Sequence, residues 1–295
     1  MPQAYIVPPR GFLDAFAKTT LLITFIMTCM NMHLHIPVDS HLSEYITFVW
    51  ELHGNQRLNE TILPQGVVEM VFNLGDSMIG GLAGADLLKA PYCFIQGLNT
   101  ARVEVAYHGE QHLFGIRLQP GMLRRLLGII PAELKNTQID LTLIKPLYNA
   151  VWHQLKEAAS FEERVKIIQT VFPVLTTTPC PRIQKLCNLF MAEGIENFAS
   201  PTSLSKQVYY SARHLNRKTQ ELFGVSAEEL VIYKKFLHAV NLLHHSPQSL
   251  TSIAYESGFY DQAHFCRIFK SYAGITPKEY RLQKSGLPFH LFSKP

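Results

Sequence analysis

The sequence predicts an α+β chain, with a β-rich N-terminal domain that carries a helical extension and then an all-α domain. Three observations carry this. Up to about Leu118 short apolar runs rich in Val, Ile, Phe and Tyr alternate with turn residues. From Pro120 the apolar period becomes helical. The last third repeats itself at a fixed offset. With 295 residues, 47% of them hydrophobic and 17% charged, the chain has material for two ordinary cores.

The strand-like runs are Tyr45–Leu52, Val67–Leu74 and Phe114–Leu118, punctuated at Pro64–Gly66, Asn73–Asp76, Gly80–Gly84 and Pro120–Gly121. They read as a mostly antiparallel sheet. Met122, Leu123, Leu126 and Leu127 then share one helical face. Ser160, followed by Phe161-Glu-Glu, has the N-cap and acidic first turn of a helix start. Thr176-Thr-Thr-Pro-Cys-Pro181 breaks all periodicity. The boundaries predicted are 1–31 for an N-terminal extension, 32–175 for a β-rich effector-binding or dimerisation domain, 176–181 for a linker and 182–284 for the helical domain.

Within the helical domain, Ser211–Leu230 aligns with Asp261–Tyr280 at an offset of 50 residues. His214, Arg217, Gly224 and Glu229 recur as His264, Arg267, Gly274 and Glu279. Ser211 and Asp261 suit the N-cap of a helix, because a side-chain oxygen there takes a free backbone N–H. The apolar face of the second copy is Phe265, Ile268, Phe269 and Tyr272. Gly274 ends it in the left-handed conformation that glycine adopts without penalty. A shorter helix precedes each copy, about Pro201–Tyr209 and Leu250–Ser257. Ala254, four residues before Gly258, allows a close helix crossing. The product is two helix-turn-helix units joined by a linker helix, about Ala227–His244.

Such a unit sets its second helix in the DNA major groove. The residues left over after burial are Arg213, Asn216, Arg217 and Gln220 in the first copy. In the second they are Gln262, Ala263, Cys266, Arg267 and Lys270. Arg matches guanine bidentately, Asn and Gln match adenine, and Lys270, farther along the helix, suits phosphate. A solvated helix face is the plain alternative for any one such set; two sets of matching chemistry in one register favour DNA. Charge agrees. From Cys180 onward 14 Lys and Arg stand against 8 Asp and Glu, whereas the rest of the chain carries 13 against 15.

The stretch Ser252–Arg281 (SIAYESGFYDQAHFCRIFKSYAGITPKEYR) resembles the C-terminal signature of the AraC/XylS family of bacterial transcription regulators, through its Ile-Ala, Gly-Phe, His-Phe, Arg-x-Phe-Lys, Gly-x-x-Pro and Tyr-Arg elements. The resemblance covers about Arg182 to Arg281. It implies a seven-helix domain that places Ser211–Phe223 and Asp261–Ala273 in successive major grooves. The family's base-contacting positions fall on Arg213, Asn216, Arg217, Gln220, Gln262, Ala263 and Arg267. Thr219 stands where the family has a large apolar residue, and Val208-Tyr209 where it has a glycine turn. The N-terminal region resembles sensor domains fused to such units, through Leu63–Asp76, Gln96-Gly97 and Gly115–Gly121. The function implied is a cytoplasmic transcription regulator that binds promoter DNA and answers an unnamed signal. A small-molecule effector, a second copy of the chain and RNA polymerase are further candidate partners. No membrane partner, cofactor or enzymatic activity is expected.

The rival readings are a cupin-like metal-binding enzyme and a helical protein-interaction module. His33 and His35 share one side of a strand, with His41, His53, His108 and His112 as companions, but polar-edge histidines are commoner than ligands and no metal site is assigned. Five cysteines without C-x-x-C spacing argue against a disulfide framework or zinc knuckle. No phosphate loop or nucleophile triad has recognisable spacing. The apolar run Leu21–Met30 is too short for a bilayer and lacks a signal-peptide cleavage site. Translation starting at Met30 or Met32 is the reading that fits it.

Overall fold

A computed structural model describes residues 30–37, 41–55, 57–172, 180–192 and 194–293. Most of the expected N-terminal extension, 1–29, and most of the expected linker, 176–179, lie outside these residues. The N-terminal region holds β1 (Met30–His35), β2 (Ile46–Asn55), β3 (Leu58–Ile62), β4 (Glu69–Asn73), β5 (Met78–Leu82), β6 (Leu88–Lys89), β7 (Cys93–Gln96), β8 (Val103–Tyr107) and β9 (Glu110–Leu118). There follow α1 (Met122–Leu127), a 3-10 turn at Pro131–Leu134, β10 (Gln138–Asp140), α2 (Leu141–Ile144), α3 (Leu147–Glu157) and α4 (Phe161–Val171). The helical region holds α5 (Pro181–Met191), α6 (Pro201–Gln207), α7 (Ala212–Phe223), α8 (Ala227–His245), α9 (Leu250–Glu256), α10 (Gln262–Ala273) and α11 (Pro277–Gln283), and the chain closes with β11 (His290–Ser293).

Two antiparallel sheets form the N-terminal region, in the orders β1-β2-β9-β4-β7-β10 and β11-β3-β8-β5-β6. The three strand-like runs of the sequence are β2, β4 and β9, which are neighbours at the centre of the first sheet. All five residues of β4 are buried. The reason is that this sheet is covered twice. One face packs Val49, Met70, Phe72, Phe114 and Ile116 against α1–α4 through Leu123, Leu155, Val165 and Ile168. The other meets the second sheet through Val71, Phe94 and Leu113 against Val105 and Tyr107, with Trp50 alongside. Gly115 belongs to this second face. A Cβ there would lie 2.0 Å from the Trp50 ring, so the indole rests directly on the β9 backbone.

Two features were not legible in the sequence. The helical extension does not follow the sheet passively, because β10 interrupts it to pair with β7. The chain also continues past 284, the expected bound of the helical domain. It returns to the N-terminal domain, where β11 pairs antiparallel with β3. There His290 Nδ1 lies 2.6 Å from Glu60 Oε1, and Tyr107 donates to Glu60 Oε2 at 2.8 Å. Leu291 and Phe289 join the core of the second helical unit. Among the described residues no helix is long and apolar enough to cross a membrane.

Candidate nucleic-acid interface

Both helical units are built by the capping logic of their sequence. Ser211 accepts from His214 N and Asp261 from His264 N, which fixes the starts of α7 and α10. Gly224 (φ 74°) and Gly274 (φ 70°) close them in the left-handed region. Ser226 with Glu229, and Thr276 with Glu279, then form capping boxes that open α8 and α11.

The short helices obey a different register. Backbone bonds Tyr209 N to Lys206 O and Tyr210 N to Ser205 O recur as Gly258 N to Tyr255 O and Phe259 N to Ala254 O, an offset of 49. The second turn is therefore one residue longer than the first. The left-handed residue of the first turn is Tyr209 (φ 55°), the counterpart of Gly258 (φ 72°). Ser205 is the buried counterpart of Ala254, and both are small enough for the helices to cross closely. Thr219 points inward. It is fully buried, and its Oγ1 donates to Asn216 O.

Leu215, Thr219 and Phe223 bury one side of α7, and Phe265, Phe269 and Ala273 one side of α10. On the opposite sides Arg213, Arg217, Gln220, Gln262, Ala263, Arg267 and Lys270 are exposed, and Cys266 is half-buried. The two faces differ in their internal pairing. Arg217 faces Glu221 at 3.8 Å and His214 Nδ1 at 3.4 Å, while Lys218 holds Glu221 at 2.6 Å. That contact with Lys218 is the main reason the Glu221 carboxyl sits below its usual range. Arg267 and Lys270 make no ion pair among the described residues. Gln262 Oε1 accepts from Thr251 Oγ1 at 2.6 Å, which orients its amide. Asn216 departs from the sequence reading. It is half-buried, and its Oδ1 accepts from Ala227 N at 3.1 Å, so its carbonyl is committed to the first turn of α8. Sequence reasoning also missed the exposed rings of Tyr209, Tyr255 and Tyr260 around the two turns. An exposed aromatic beside a turn has no periodic signal.

The N-terminal domain touches both units at repeat-equivalent positions. A Cβ on Gly224 would lie 2.7 Å from the Pro131–Ala132 backbone, and one on Gly274 2.4 Å from Arg102 Nη1. Arg102 Nη1 also donates to Ala273 O at 3.4 Å, a cation at a helix C-terminus. Tyr233 of α8 donates to Asn99 O (2.7 Å) and accepts from Gly66 N (2.9 Å), and Lys135 pairs with Glu229 at 3.0 Å. Asn136 ties these loops together, accepting from Thr100 N at 2.6 Å and donating to Thr100 Oγ1 at 2.8 Å. All three motifs behind the sensor-domain resemblance reach this contact zone. Leu63 joins the core of the second helical unit, and Gly66 meets Leu237. Gly97 backs onto Leu134, and Gly121 meets Leu222.

The competing histidine reading fares differently. His33 and His108 are exposed, and His41 Nε2 binds Phe172 O at 2.9 Å. These three do not converge with one another. His53 and His112 do converge, on Glu51, a residue the sequence reading did not name.

The profile of a helix-turn-helix domain matches residues 204–283, and that of a domain of unknown function (DUF6597) matches residues 34–140. An uncharacterised HTH-type transcriptional regulator of Staphylococcus aureus is 31% identical over 100 residues, 34% of this chain and 13% of that protein. The HTH-type transcriptional activator RhaS of Escherichia coli is 30% identical over 102 residues, 34% of this chain and 37% of that protein. The chain thus spans well under two thirds of the curated relatives it matches. The structure of ToxT from Vibrio cholerae aligns with 86% of this chain and 98% of its own at 13% identity, with a TM-score of 0.44. Residues 204–283 thus match a helix-turn-helix domain, and this part of the chain is similar to part of HTH-type transcriptional regulators.

Proposed function

We propose that the chain is a sequence-specific DNA-binding transcription regulator whose N-terminal domain governs the DNA-binding domain. The observation that carries it is the pair of capped helices, α7 and α10, each with Arg and amide side chains on its exposed face. Arg267 and Gln262 read bases from α10, with Ala263 offering an apolar contact. Lys270, farther along, holds phosphate. Arg213, Arg217 and Gln220 do the reading from α7. Asn216 serves the linker helix instead. The helix α8, with 19 residues, is about 28 Å long and joins the two readers.

The regulatory half of the proposal rests on the contact zone. One surface of the N-terminal domain, 97–102 with 131–137, meets the C-terminal ends of both reading helices and the middle of α8. An effector or a partner copy that shifted this surface would shift both readers together. A non-enzymatic role follows from the same reading. The test is selection of bound sequences from a random DNA library with the full chain, followed by titration of the selected site. Binding of all sequences with equal affinity would sink the proposal.

A further inference from the structure

A separate cluster of titratable side chains lies on β2 and β9 of the N-terminal domain. Glu51 and His53 are two residues apart on β2 and so face the same way. His112 stands directly opposite His53 across the β2–β9 pair. All three share the sheet face that carries Val49 and Phe114, the face covered by α3 and α4. Glu51 is 2% exposed in its side chain, His112 13% and His53 37%, so the cluster runs from a buried carboxylate out to solvent. His53 Nε2 is 3.3 Å from Glu51 Oε2, and His112 Nε2 is 3.0 Å from Glu51 Oε1. The two imidazoles stack at 3.9 Å between centroids. Their three donor atoms lie within 4.8 Å of one another.

We propose that Glu51, His53 and His112 form a binding site for a divalent transition metal of the zinc class. The donor set is right, since imidazole nitrogen and carboxylate oxygen are borderline ligands for such ions. The spacing is right as well. Bonds of about 2.0–2.1 Å in tetrahedral geometry put neighbouring donors about 3.3 Å apart, the separation of His53 Nε2 from Glu51 Oε2, and one ligand atom from each of the three residues lies within 4.8 Å of the others. Two strands of the best-buried sheet hold the donors, so little ordering is needed on binding. The exposed side of His53 leaves room for a fourth ligand and a route for exchange.

Arg164 sharpens the assignment. Its Nη1 lies 3.1 Å from Glu51 Oε1, while Nε and Nη2 donate to Leu155 O and Ala158 O at the end of α3. The guanidinium thus fixes Glu51 through one oxygen and leaves Oε2, the one facing His53, for the metal. The site does not depend on the DNA-binding reading.

The test is titration of the full chain, freed of metal by chelator and dialysis, with Zn2+ alone against a competing chromophoric chelator. Co2+ alone follows, for its visible ligand-field bands. The expected result is one tight equivalent, Co2+ bands typical of low coordination number, and a raised Tm. His53→Ala leaves the Glu51–Arg164 pair in place and is expected to weaken binding at least tenfold and abolish the Co2+ bands. Glu51→Gln, which keeps the side-chain shape, is expected to do the same. Equal binding by the original chain and His53→Ala, or no equivalent bound by the original chain, overturns the proposal. DNA affinity measured on the metal-free His53→Ala protein reports separately on the DNA reading.

Discussion

Replacing Arg267 by Ala tests the DNA reading most directly, because the structure separates its effect from those of its neighbours. Arg267 is exposed and makes no ion pair among the described residues, so truncation breaks no ion pair and most of its cost falls on the complex. A bidentate contact to guanine is worth about 1–3 kcal/mol, or about 5-fold to 150-fold in Kd. Arg217→Ala should lose less. Arg217 must first leave Glu221, an exposed i,i+4 pair worth about 0.3–0.5 kcal/mol, so its net contribution falls short of Arg267 by about twofold in Kd. Asn216→Ala should leave DNA affinity nearly unchanged and lower folding stability by about 0.5–1.5 kcal/mol, the usual worth of the bond it makes to Ala227 N. Lys270→Ala should weaken all sequences alike and reduce the salt slope by about one unit. The assay is fluorescence anisotropy on a library-selected site and its single-base variants at several salt concentrations, paired with urea unfolding of each variant. If Arg267→Ala weakens selected and random DNA equally, Arg267 is a phosphate contact. If Asn216→Ala loses more affinity than Arg267→Ala at unchanged stability, the assignment of Asn216 to the linker helix is wrong.

Three further outcomes are expected. Gly115→Ala drives a methyl into the Trp50 ring and should cost at least about 1–3 kcal/mol by urea unfolding; an unchanged midpoint would show that the indole is not seated as described. Gly224→Ala places a Cβ at φ 74° against Pro131 and should cost about 1–2 kcal/mol from backbone strain alone, while also loosening the first reading helix from the N-terminal domain; equal stability and equal DNA affinity would count against that contact. Stability should also fall as pH drops from about 6.5 toward 4. Burial, reinforced by His245 and Lys284, pushes His244 down from 6.5 to about 4, so within that window the unfolded chain takes up a proton that the folded chain refuses. Above 6.5 His244 is neutral in both states and contributes nothing. Tm measured across pH 4–8 checks this, and His244→Gln should flatten the lower part of the curve; a variant with the same slope would clear His244 of the effect.

Much of the helical domain was legible because its determinants are local. Caps such as Ser211, Asp261, Gly224 and Thr276 act within one turn of the chain, and the faces of α7 and α10 follow from a period of 3.6 residues. The central strands β2, β4 and β9 were legible for the same reason, since β-branched and aromatic runs bounded by turn residues need only neighbours in sequence. Three things were decided by the tertiary structure. The role of Asn216 depended on where Ala227 N lands after the chain turns at Gly224. The convergence of Glu51 with His53 and His112 depended on the register of β9 against β2, which no single strand encodes. The pairing of β11 with β3 joins residues more than two hundred positions apart in the sequence, and a four-residue strand carries too little local preference to announce itself. Local free energy is written in adjacent residues, whereas contacts between distant segments exist only once the whole chain has closed its cores.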